Sequence, residues 1–141
     1  GGFMGQSYSI RCSKCKRKYQ FTEGVGMLCN PIMLMDINNK HNLLSYYENG
    51  IDKERLKQIL IDKNYMLDKN YGYKTYQCPT CKNIYNNFYF KLYSIDDAEV
   101  FTSAYECSKC KKPLQIARNI NSCPNCGGEF DKETMEIIMW D

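Results

Sequence analysis

The chain has 141 residues, nine of them cysteine, with 19 Lys and Arg against 16 Asp and Glu, for a formal charge of +3. That length allows one compact domain or two small lobes, and the longest apolar run, Ile32 to Met35, is far too short to cross a bilayer. The hydrophobic share of 43% leans on 12 Tyr and 7 Met rather than on Val and Leu, which suits small metal-stapled cores better than one large aliphatic core.

Gly1-Gly2-Phe3 reads as a cloning remnant, with Met4 the natural start. The polar stretch after Met4 has no apolar core of the kind a secretory leader needs, so a cytoplasmic location is expected. Ser7 to Ile10 has β-like character, and Tyr19 and Phe21 alternate with polar residues as in a half-buried strand. Gly24-Val25-Gly26 interrupts it. Asn30 before Pro31 predicts a capped short helix with Ile32, Met33, Met35 and Ile37 on its apolar side. A second short helix is expected near Leu43-Leu44-Tyr47. A better helix is predicted over about 52–63: Asp52 as N-cap, Ile51 packing on Leu56, and Leu56, Ile59 and Leu60 on one face. Asn70-Tyr71-Gly72 is a turn. Tyr73 to Gln77 and Ile84 to Tyr93 alternate as strands, the latter with Phe88, Phe90 and Leu92 on one side. Ser94 to Glu99 is acidic and loop-like, a candidate boundary between lobes. Leu114, Ile116 and Ile120 suggest a hairpin. Asp131 to Thr134 resembles a turn, with a last strand from Met135 to Trp140.

Eight cysteines form four Cys-x-x-Cys hooks: Cys12/Cys15, Cys78/Cys81, Cys107/Cys110 and Cys123/Cys126. In a reducing compartment such hooks argue for metal rather than disulfides. The last two, separated by twelve residues, have the spacing of a tetrahedral zinc site. By count there are two sites. An apolar group follows each second cysteine by four residues: Tyr19, Tyr85, Leu114 and Phe130. This is the pattern of a metal knuckle at a hairpin tip. Two residues between the cysteines let both sulfurs face one ion, and backbone amides then point at the sulfurs. The residue after the second cysteine often needs φ > 0, which Gly127 supplies freely. Lys16, Lys82 and Lys111 hold the equivalent places at about 1 kcal/mol of strain each, small against the roughly 10–16 kcal/mol of a structural zinc. Eight thiolates and two zinc ions would bring the charge from +3 to about −1, so overall charge makes no case for a nucleic-acid partner.

Cys107 to Phe130 resembles a complete zinc ribbon with rubredoxin-like knuckles. The opening from Met4 to Cys15, with Gly24-Val25-Gly26-Met27 soon after, resembles small uncharacterised bacterial proteins with paired zinc ribbons. The resemblance implies a small, metal-stapled α+β fold of two zinc-ribbon β-hairpin lobes. Residues 4–94 would be the first lobe, with a helical insertion at about 31–63, and residues 95–141 the second. It implies that the first and second hooks share a metal: Cys12, Cys15, Cys78 and Cys81 at site 1, and Cys107, Cys110, Cys123 and Cys126 at site 2. It implies no activity. A second pairing exists, because the second and third hooks are only 25 residues apart and could share an ion, leaving the first with the fourth.

Cys29 reads as a buried inert thiol, and His41, the one histidine, as a loop residue rather than a ligand. Arg11, Lys14, Lys16, Arg17 and Lys18, with Tyr8, Tyr19 and Phe21, form the best nucleic-acid candidate, extended by Lys109, Lys111 and Lys112. The simpler reading is that these cations offset the −2 charge of each metal–thiolate centre. No catalytic constellation, phosphate-cradling loop or small-molecule site is evident. The expected function is a binding module with two structural zinc ions whose partner is protein or nucleic acid. The alternatives are a rubredoxin-like iron electron carrier and a thiol-redox or zinc-handling protein.

Overall fold

A computed structural model describes residues 5–26 and 29–140; Gly1-Gly2-Phe3, Met4 and Met27 of the motifs above lie outside them. The first hairpin joins β1 (Gly5–Cys12) to β2 (Lys18–Glu23), with Tyr8 opposite and stacked on Phe21 at 4.9 Å between ring centres. Then comes α1 (Pro31–Leu34), capped as expected by the Asn30 side chain, which accepts from the Met33 amide at 2.9 Å. Its buried residue is Leu34, while Ile32 is 84% exposed; four residues are too few to present the longer apolar side that the sequence suggested. A 3₁₀ turn follows at Leu43–Tyr46.

Helix α2 (Lys53–Asp62) buries Leu56, Ile59 and Leu60, the expected face. Asp52 sits at its N-cap position, but with φ of 65° its side chain makes no capping bond. Capping uses an extended backbone that aims the carboxylate at the free amides, and the left-handed turn at Asp52 aims it elsewhere.

The remaining strands are β3 (Tyr65–Leu67), β4 (Gly72–Gln77), β5 (Ile84–Tyr89), β6 (Lys91–Ser94), β7 (Val100–Thr102), β8 (Gln115–Ile116) and β9 (Phe130–Trp140). The single strand expected over 84–93 is broken at Phe90. There the backbone exchanges bonds with Ser103 (Phe90 N–H to Ser103 Oγ, 3.1 Å; Ser103 N–H to Phe90 C=O, 3.0 Å), and the two halves join different sheets. The hairpin expected around Leu114 to Ile120 reduces to β8, and the turn expected at Asp131–Thr134 lies within β9, which is irregular against β1 between Ser9 and Arg11.

Among the described residues three antiparallel three-stranded sheets result, in the orders β2-β1-β9, β3-β6-β7 and β5-β4-β8. Each takes two strands from the residues up to Ser94 and one from those after it. The division into lobes at 94/95 is therefore not how the strands assemble, and the Ile95–Ala98 turn merely links the paired strands β6 and β7.

The aromatic core gathers on Tyr47, which is fully buried and meets Phe90, Phe101 and Tyr105 edge-on at 5.2, 6.0 and 5.2 Å. Its hydroxyl donates to the Ile51 carbonyl at 2.7 Å and accepts from the Ala104 amide at 2.9 Å. The sheet carrying β2 is joined to the one carrying β4 by reciprocal bonds between Gly24 and Tyr73. The Asn86 side chain on β5 strengthens the join, accepting from the Thr22 amide and donating to the Gln20 carbonyl.

Candidate metal centres

The four hooks fold into one shape. In each, the residue after the second cysteine returns its amide to the carbonyl of the first, at 3.1 Å for Lys16, 3.1 Å for Lys82, 2.9 Å for Lys111 and 2.8 Å for Gly127. The first cysteine's amide in turn reaches the carbonyl of Arg17, Asn83, Lys112 or Gly128. All four returning residues are left-handed, with φ of 66°, 65°, 57° and 76°. The three lysines thus adopt the strained conformation that their position demands, as the sequence pattern requires. Amides also aim at the sulfurs: Lys14 and Cys15 at Cys12, Thr80 and Cys81 at Cys78, Cys110 at Cys107, and Gly128 at Cys126, all between 3.3 and 3.5 Å.

The hooks do not pair in chain order. Cys12, Cys15, Cys123 and Cys126 converge at one place and Cys78, Cys81, Cys107 and Cys110 at another, the sulfurs of each set within 4.8 Å of one another. The pairing implied by the zinc-ribbon resemblance, first hook with second and third with fourth, is corrected to a nested one. The physical reason is strand pairing. The first hook is the tip of the β1–β2 hairpin and the second the tip of the β4–β5 hairpin. β9 lies on β1 with Arg11 opposite Asp131, delivering the fourth hook to the first. β8 lies on β4 with Gln77 opposite Gln115, delivering the third hook to the second. In both cases the residue before one hook faces the residue eight places after the first cysteine of its mate, so the two centres are copies of one arrangement.

Across the hooks, Cys12 Sγ lies 3.4 Å from Cys126 Sγ, Cys15 Sγ 3.7 Å from Cys123 Sγ, and Cys81 Sγ 3.7 Å from Cys107 Sγ. A disulfide needs about 2.05 Å, whereas four sulfurs held at about 2.3 Å from a common ion stand roughly 3.8 Å apart. The spacing fits an ion at each centre and excludes disulfides between these pairs.

Two donors escaped the sequence reading. The Tyr19 hydroxyl lies 3.3 Å from Cys123 Sγ and the Tyr85 hydroxyl 3.2 Å from Cys107 Sγ. Each tyrosine follows the second cysteine of its own hook by four residues and reaches the hook opposite. The signal was present: only the first two hooks carry Tyr at that offset, while Leu114 and Phe130 hold it in the others. Each centre combines one hook of each kind.

The hydrogen bond from Tyr85, with the Cys110 amide next, brings the Cys107 thiol down to about 6. Burial works against ionisation of Cys123, but Tyr19 and the knuckle amides bring it also to about 6. The Cys15 amide lowers Cys12, and the Cys81 amide lowers Cys78. Cys110 goes the other way, up to about 12, bonded to Cys81 and desolvated. Four thiolates so close repel each other unless a cation sits among them, so each cluster ionises readily in part and resists completing the process. A dication removes that resistance.

Arg11, Lys14, Lys16, Arg17 and Lys18 are all exposed on the first knuckle, as are Lys109, Lys111 and Lys112 on the third. Of the aromatics grouped with them, Phe21 is buried and Tyr8 stacked on it, and the Tyr19 ring packs edge-on against Phe130. Cys29 is buried in the core and joins neither cluster. His41, half-buried in a loop where its amide meets Asn39 Oδ1, also lies outside both. Among the described residues, no helix is long and apolar enough to cross a membrane.

Compared with protein-family models, with curated proteins and with solved structures, the chain matches none. What the fold and the clusters define is a class: a small, mostly antiparallel chain with two tetracysteine groups suited to metal.

Proposed function

We propose that the protein is a cytoplasmic interaction module, not an enzyme, folded around two structural zinc ions. One observation carries the reading: in both clusters four sulfurs lie within 4.8 Å of one another, with cross-hook pairs at 3.4 and 3.7 Å in one and at 3.7 Å in the other, close enough to share a tetrahedral ion. Four cysteines leave no open position for a substrate, whereas catalytic zinc keeps one. Each ion would also replace core that the chain lacks, because the outer centre clamps β1 to β9 and the inner one clamps β4 to the segment before β8.

Elemental analysis of reduced, freshly purified chain tests this, with two zinc ions per chain expected. Far fewer than two metals would end the reading. An iron electron carrier is the second reading, because four thiolates accept either metal. Purification under iron-replete conditions gives a colourless protein if zinc is the resident ion. A red protein with stoichiometric iron would replace the first reading with the second.

A further inference from the structure

A groove of about 350 Å³ runs between the first and second knuckles, walled by Arg17, Lys18 and Tyr19 on one side and Asn83, Ile84 and Tyr85 on the other. The walls are equivalent, each starting two residues after the second cysteine of its hook. Each tyrosine is pinned at its hydroxyl to a sulfur of the nearer centre, and Asn86 ties the two walls together through Gln20 and Thr22. The groove's walls are therefore tied to each other and each to its own metal centre.

One wall of the groove and the knuckle that carries it are basic. Residues 11–18 hold five cations and no acid, all five exposed. A zinc–tetrathiolate centre carries −2, and Asp131 stands opposite Arg11 on the paired strand, so the excess of positive charge lies at Arg17 and Lys18, the two cations that line the groove itself. Lys82 stands at the place on the second knuckle that Lys16 holds on the first, and Lys109, Lys111 and Lys112 are exposed on the third.

We propose that this inter-knuckle groove binds a single strand of nucleic acid, the cations meeting phosphates and the tyrosine, isoleucine and amide walls meeting bases. The proposal rests on the metal-stapled reading above, because the metals hold the walls in place. A basic channel combined with aromatic groups is the chemistry that single strands use. A duplex is read by a convex helix or ribbon entering its groove, and these knuckles present a concavity. An acidic peptide would use the cations but has no use for paired aromatic walls.

The test is fluorescence anisotropy with the full zinc-loaded chain and labelled mixed-sequence DNA and RNA strands of about 20 nucleotides, with zinc content measured on the same sample. Binding is expected to weaken about a hundredfold from about 50 to about 200 mM salt, as five phosphate contacts on a single strand require. The double variant Arg17→Gln/Lys18→Gln should bind at least about tenfold more weakly, with a logarithmic salt slope shallower by about 1.4 and both metals retained. Lys53→Gln/Lys57→Gln, which removes the same charge from exposed positions on α2, should bind as the parent does. Equal losses in the two variants would overturn the proposal, as would a duplex binding as tightly or polyglutamate competing as well as the strand. A chain that holds two zinc ions and binds neither strand sinks this proposal while leaving the module intact. A chain without the two metals brings down both.

Discussion

Replacing Cys12 and Cys126 together with serine should remove one metal and leave the other in place. Those cysteines lie at opposite ends of the described chain yet have sulfurs 3.4 Å apart. The nested arrangement makes them partners, whereas chain-order pairing would spread the damage over two centres. The outer centre joins Cys15 to Cys123 across a separation of 108 residues, the inner one Cys81 to Cys107 across 26. Treated as cross-links, these closures restrict the unfolded chain by about 4.8 and about 3.5 kcal/mol, shares of the roughly 10–16 kcal/mol that a structural zinc contributes. The outer variant loses the larger closure and the clamp at the hook end of β1 and β9, whose backbone ladder from Gly5–Trp140 onward remains, and the aromatic core around Tyr47 and the inner centre should survive. Native mass spectrometry after a fixed chelator challenge counts the surviving ions. One tightly held zinc is expected for Cys12→Ser/Cys126→Ser, and one for Cys78→Ser/Cys107→Ser. None is expected for Cys12→Ser/Cys78→Ser, which leaves three sulfurs at each centre. If that last variant keeps one resistant ion and the other two keep none, the nested pairing is wrong.

Tyr85→Phe removes the strongest influence holding Cys107 near 6. A thiol lowered in the folded chain contributes stability in full above its ordinary value, near 9, and loses it as pH falls through about 6. Acid-driven zinc release, followed with a chromogenic chelator, should therefore move to higher pH in Tyr85→Phe, with affinity at neutral pH down about tenfold; Tyr19→Phe should do the same at the outer centre. Lys82→Gly should raise the denaturant midpoint by the equivalent of up to about 1 kcal/mol, because its φ of 65° costs a side-chain-bearing residue about that much. Gly128→Ala should weaken the outer centre alone, because a Cβ there would lie 3.1 Å from Cys12 Sγ and 2.9 Å from Lys14 Cβ; metal counting per site checks it. Tyr47→Phe should cost about 1–3 kcal/mol in chemical denaturation, since it strands the Ile51 carbonyl and the Ala104 amide.

The ligands and their local shape were legible before any coordinates. A Cys-x-x-Cys hook is closed by bonds within seven residues, so four of them, left-handed lysines included, could be read directly from spacing. The α2 face and the Asn30 cap were legible for the same reason, because their signals lie within one or two turns of chain. The break at Phe90 was not, since it depends on Ser103 reaching the Phe90 amide from thirteen residues away. Nor was the mating of the hooks. Every hook offers the same two sulfurs, so an ion accepts any two of them; the tyrosine after the first two hooks divides the four into two kinds but does not say which of one kind mates with which of the other. That choice belongs to β9 lying on β1 and β8 on β4, pairings set by backbone bonds between distant segments, which nest one centre inside the other, while the Gly24–Tyr73 bridge and Asn86 set the first two knuckles side by side as the walls of a groove.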